Sequence, residues 1–113
     1  MENYSFPSNE KKIAVAVSGG ADSLALTILA NNWAKINKRN LVTFTINHGL
    51  RPESLMESSL VEKQMKKLSI KHETIVWEGI KPKSGIQIKA RNARYRLLAE
   101  ACIKHDVKYI LLG

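Results

Sequence analysis

Four short apolar runs alternate along this chain with three longer segments of helical period, and nothing else in the sequence constrains the fold as strongly. Ile13-Ala14-Val15-Ala16-Val17 reads as a buried strand closed by Ser18-Gly19-Gly20. Leu41–Ile46, His72–Trp77 and Lys108–Leu112 read as three further strands. Between the first two, Ala21, Leu24, Ala25, Ile28, Leu29, Trp33 and Ile36 recur at helical spacing. Leu60, Val61, Met65 and Leu68 form the apolar arc of a second helix, and Ser54 with Glu57 three residues on reads as a capping box at its start. Ile86, Ala90, Ala93, Leu97 and Ala101 predict the buried stripe of a third helix ending near His105. Strands joined through helices make a parallel sheet with right-handed crossovers. Continuously apolar strands need cover on both faces, so the expected fold is α/β, a parallel sheet in three αβα layers.

A chain of 113 residues fits one domain, expected over residues 13–113 behind a polar segment at 1–12. A hydrophobic fraction of 44% is enough for a packed core and argues against disorder. No apolar run approaches the roughly 18 residues of a membrane span, and the polar start MENYSFPSNEKK lacks a secretory signal. Cys102 is the single cysteine, which excludes an internal disulfide or a cysteine metal cluster and makes a reducing, cytoplasmic compartment the simplest reading. The net charge is +8, and Lys81–His105 carries seven basic residues against Glu100. Such a segment suits phosphate backbones, or equally a solvated helix face.

In a parallel sheet, ligands bind beyond the carboxyl ends of the strands. The first strand ends in Ser18-Gly19-Gly20-Ala21-Asp22-Ser23 and runs straight into a helix. Two glycines allow a tight turn, the helix start offers free N–H groups, and Ser18 and Ser23 add hydroxyls, which together make a phosphate cradle. It is neither a Walker A loop nor a G-x-G-x-x-G fingerprint. Asp22 would repel phosphates unless a cation such as magnesium bridges the two; read structurally, it is a favourable first-turn acid. On the third helix, Gln87, Arg91, Arg94 and Leu98 share one stripe, and arginine forks at a crevice suit oxyanions. Tyr95 reads as a base-stacking ring or as packing.

Val15–Ser23 resembles the S-G-G-x-D-S pyrophosphate (PP) loop of the N-type ATP pyrophosphatases, whose fold is adenine-nucleotide α-hydrolase-like. Asn47-His48-Gly49-Leu50-Arg51 and Gly85-Ile86-Gln87 with Ala90-Arg91-x-x-Arg94-Tyr95 resemble blocks of the tRNA(Ile)-lysidine synthetases, over about Ile13–Gly113. The resemblance implies an ATP- and Mg2+-dependent ligase that joins L-lysine to the wobble cytidine of tRNA(Ile) with a CAU anticodon, through an adenylated cytidine. It implies that Ser18, Gly19, Gly20, Ala21, Asp22 and Ser23 hold ATP, with Asp22 catalytic and near Mg2+. His48, Gly49, Arg91 and Arg94 would contact nucleotide or tRNA. The family's histidine/aspartate-rich motif after the fourth strand lies beyond Gly113, so an N-terminal piece is expected, with a separate chain as one possible source of the remainder. A non-catalytic nucleotide- or RNA-binding fragment, or another PP-loop tRNA-modifying or amide-forming enzyme, is the alternative.

Overall fold

The computed structural model describes residues 11–18, 21–49, 53–77 and 84–112. Seven elements follow one another as β1 (Lys12–Ala16), α1 (Ala21–Ile36), β2 (Asn40–Asn47), α2 (Ser54–Lys67), β3 (Lys71–Val76), α3 (Ile86–Lys104) and β4 (Ile110–Leu112). The strands form one wholly parallel sheet in the order β3-β2-β1-β4. Ala14 faces Val42 on one side and Ile110 on the other, and Phe44 faces Glu73. Alternate residues therefore serve opposite layers. Ala14, Ala16, Val42 and Phe44 pack with Leu98 and Ala101 of α3. Val15 and Val17 pack with Ala30 of α1 and with Val61 and Met65 of α2. The three-layer αβα expectation holds, and β1, an interior strand, carries its carboxyl end to the middle of the sheet.

The helices meet the sheet through faces that differ from the expected stripes. On α1 the buried residues are Ser23, Thr27, Ala30 and Ala34, while Leu29 and Ile36 are 58% and 80% exposed. Apolar residues surround most of this helix, so periodicity does not single out one face. Close packing on a sheet then favours the small-residue side, which lets the backbone approach, and Thr27 satisfies its hydroxyl on the Ser23 carbonyl at 2.8 Å. On α2, Val61 and Met65 are buried as expected, whereas Leu60 and Leu68 are exposed. On α3, Leu98 takes the core place expected of Leu97, beside Ala93 and Ala101, and Ile86 is exposed. Ala93, Leu98 and Ala101 follow spacings of five and three, so the buried line crosses the helix obliquely as it packs over a twisted sheet.

The second helix is capped one residue before the expected capping box. Glu53 occupies the N-cap position without a side-chain cap bond, and Ser54 lies inside α2, one residue too late for the box geometry. The fourth strand pairs only from Ile110, two residues later than expected. All three helix-to-strand turns share one device. Lys38, Ser69 and Asp106 take left-handed backbone, with φ of 55°, 57° and 54°. The next N–H groups, of Arg39, Ile70 and Val107, bond back to Ala34, Met65 and Cys102 at 2.8 to 2.9 Å. These are Schellman closures made without glycine. Lys104 and His105, at the end of α3, both donate to the Glu73 carboxylate of β3, Lys104 at 3.0 Å.

Candidate functional site

The carboxyl end of β1 leads from Val17 and Ser18 towards the start of α1 at Ala21. Gly19 and Gly20, expected to shape this turn, lie outside the described residues. The flanking residues show how it is held. The Ser23 side chain is 2% exposed, and its Oγ accepts the Ser18 N–H at 2.9 Å. One wall is thus a buried hydroxyl tied to the strand end rather than a loose donor at the surface. Thr45 Oγ1 donates to the Val17 carbonyl at 2.9 Å, and the Val17 N–H bonds to Phe44. The strand end is fixed from both directions. The first-turn N–H groups of an α-helix have no partner within the helix and carry its positive dipole end. Asp22 sits in that first turn, exposed to solvent.

A cleft of about 480 Å3 opens over the carboxyl ends of β1 and β2, between α2 and α3. Ser18, His48, Glu57, Arg91, Arg94 and Tyr95 line it, above a floor that includes Phe44 and Thr45. Four segments of the chain meet here, beyond the strand ends where ligands bind in parallel sheets. Ser18, His48, Arg91 and Arg94 come together at this cleft, whereas Asp22 and Gly49 are not among its lining residues. Gly49 shapes the loop after β2. Its φ of 64° is left-handed backbone, and its N–H bonds to Asn47 Oδ1 at 3.1 Å. Asn47 therefore braces the loop that carries His48. Leu50, Arg51 and Pro52 lie outside the described residues.

On α3 the Arg91 guanidinium lies over the Tyr95 ring, 5.5 Å from its centroid. The two are four residues apart, so they share a face, and the ring orients the guanidinium while leaving its planar fork exposed. Arg94 is half-buried. One charged member of the cleft was given a different role in the sequence reading. Glu57, read from the sequence as part of a capping box with Ser54, lines the cleft wall beside the buried Ser58. No signal in the linear pattern separates a cap from a wall, because both need an acid in the first turn. Among the described residues no group of three or more His, Cys, Asp or Glu is placed to hold a metal ion. No helix among them is long and apolar enough to cross a membrane.

Comparison with known proteins agrees with this geometry. The model of the PP-loop domain family matches residues 1–113. A tRNA(Ile)-lysidine synthase from Wolbachia pipientis wMel is 50% identical over 104 residues, covering 90% of this chain and 24% of that protein. The protein of the same name from Orientia tsutsugamushi (strain Boryong) is 37% identical over 113 residues, covering 100% of this chain and 26% of that protein. The chain thus spans about a quarter of the length of these curated relatives. Among solved structures, the U34-tRNA thiolase NcsA from Methanococcus maripaludis superposes with a TM-score of 0.80 at 21% identity, over 93% of this chain and 39% of that one. That likeness is one of fold.

Proposed function

Because the chain belongs to the PP-loop family, we propose that it is the ATP-binding part of an enzyme that ligates lysine to the wobble cytidine of tRNA(Ile). The support is the curated relatives, which share 37% to 52% identity and are named tRNA(Ile)-lysidine synthase. The observation that carries the reading is the turn at Ser18, held by a buried Ser23 hydroxyl, sharing one cleft with Arg91 and Arg94. In this reading ATP adenylates the oxygen on carbon 2 of the cytosine, and the ε-amine of L-lysine then displaces AMP.

The chain's own residues supply binding and charge. The Ser18 hydroxyl, the N–H groups that follow Ser18 and the α1 dipole hold the departing pyrophosphate, while the Ser18 N–H stays on the Ser23 hydroxyl, a brace that keeps the turn organised before substrate arrives. Arg91 and Arg94 neutralise phosphate charge, of ATP or of the tRNA backbone, through planar forks. His48 and Gly49 stand beside the base or the phosphates. Residues 13–113 form the nucleotide-binding domain behind the segment 1–12. Asp22 is the one acid of the α1 first turn and suits magnesium, which needs one or two protein carboxylates when phosphates and waters complete its shell. Magnesium, when bound, offsets the repulsion between that carboxylate and the phosphates. A reducing cytoplasm fits a chain with the lone thiol Cys102.

The test is a nucleotide titration with and without magnesium. Asp22→Ala should weaken binding of Mg-ATP and strengthen binding of metal-free ATP, because the same carboxylate attracts the ion and repels the phosphates. Affinities unchanged in both conditions refute its role. Arg91→Ala and Arg94→Ala should lower affinity for ATP or for tRNA, and no change in either refutes theirs. With ATP, magnesium, L-lysine and tRNA(Ile), residues 1–113 alone should bind ATP and incorporate little or no lysine. Vigorous incorporation refutes the assignment of this chain to the ATP-binding part only.

A further inference from the structure

A second cleft, of about 570 Å3, lies under the amino ends of the strands, at the opposite end of the sheet from the nucleotide cleft. Lys12, Arg39, Lys71 and Lys104 line it from four separate elements and turns, and among its described lining residues Asp106 is the one carboxylate. Lys38 is exposed in the turn beside Arg39. Glu73, the acid on the neighbouring face of β3, is engaged by Lys104 and His105. In the linear sequence these cations are scattered from residue 12 to residue 104, outside the basic segment 81–105 except for the last, and only the parallel topology collects them.

We propose that this basic rim is a second contact surface for RNA, which holds the sugar-phosphate backbone without reading its sequence. The proposal rests on the reading of the chain as part of a tRNA-modifying enzyme, and it names a surface that reading does not use. Two features favour a polymer over a small enclosed anion. All three helices end at this side, so it presents helix carbonyls, each end equivalent to roughly half a negative charge, instead of free N–H groups. An enclosed phosphate would find no backbone cradle here. Lys12, Lys38, Lys71 and Lys104 are exposed, Lys12 Nζ resting on the His105 carbonyl at 3.2 Å and Lys104 Nζ on Glu73, so their charges lie along the rim, where several phosphates spaced along a strand can meet them one by one. Strands of five to eight residues at about 3.3 Å each put the rim roughly 15–25 Å from the nucleotide cleft, so an RNA touching both must lie along the side of the domain.

The experiment measures binding of the 113-residue chain to a tRNA(Ile) transcript and to an unrelated tRNA transcript over a series of salt concentrations. It is repeated with a variant carrying Lys12→Gln, Lys38→Asn and Lys71→Gln. All three residues are exposed, and asparagine tolerates the left-handed turn at position 38. Loss of three phosphate contacts should reduce the slope of log affinity against log salt by about two to three for both RNAs, and Mg-ATP affinity should not change. Lys71→Gln alone should remove roughly a third of that slope, which keeps the test available if the triple variant folds poorly. Unchanged slopes overturn the proposal, and so does a loss confined to binding of phosphatidylserine vesicles. A reduced slope with no preference of the parent chain for tRNA(Ile) sustains the rim and counts only against the choice of tRNA.

Discussion

Replacing Ser23 by alanine isolates what the buried hydroxyl does for the turn after β1. The side chain is 2% exposed and its oxygen receives the Ser18 N–H at 2.9 Å. The change deletes one oxygen, so it opens almost no cavity. A hydrogen bond of this kind contributes about 0.5–1.5 kcal/mol net, and a donor left wholly without a partner costs about 1–3 kcal/mol. The bond is part-buried rather than fully enclosed, so the lower range applies. The expected loss is about 1 kcal/mol. With a urea slope of about 1–2 kcal/mol/M for a domain of this size, the midpoint should fall by about 0.5–1 M. If the brace holds the turn in its binding conformation, loosening it by the same amount lowers Mg-ATP affinity about fivefold. Urea unfolding and a nucleotide titration on the same preparation read both numbers. A lowered midpoint with unchanged affinity would reduce the hydroxyl to a packing element. No change in either would refute the reasoning outright.

Three further outcomes are expected. Phe44 is fully buried between Ala14, Ala16 and α3, with its ring 5.3 Å from that of His105, so Phe44→Ala should cost about 3–5 kcal/mol by urea unfolding, while Phe44→Leu should cost far less. A loss under 1 kcal/mol for the alanine variant would contradict the described core. Acid should weaken the fold in two stages. Burial lowers the His72 pKa, so its neutral form, with Nδ1 2.7 Å from the Thr43 hydroxyl that donates to Lys71, is favoured in the fold. The unfolded chain then takes up the proton first, and stability declines as pH falls below about 6.5. Glu73 is held below its ordinary 4.5 by the bonds from His105 and then Lys104, so a further decline should begin below that value. Unfolding midpoints from pH 8 to pH 3 check this, and His72→Gln should flatten the upper stage alone. Finally, Ser69→Gly should relieve a left-handed residue worth about 1–2 kcal/mol, partly offset by the freer unfolded chain, and raise the thermal midpoint by a few degrees. A lower midpoint would show that this turn carries no backbone strain.

The order of elements and the parallel sheet were legible in the chain itself. Strand and helix periods differ, and the glycines after the first apolar run mark the turn between them. Which face of each helix turns inward was not legible. On α1 the leucines matched the helical period as well as Ser23, Thr27, Ala30 and Ala34 did, and only the distance of closest approach to the sheet chose between them. Leu98 displaced Leu97 from the core for a related reason, since the line of contact follows the twist of the strands rather than the helix alone. The site divides in the same way. Local spacing marked Ser18, Ser23, Arg91 and Arg94, because each lies next to a strand end or on one stripe of a helix. Glu57 on the cleft wall and the cationic rim assembled from Lys12, Arg39, Lys71 and Lys104 depend on which elements become neighbours. Pairing distant strands and packing helices across them decides that, and no local run of residues records the result.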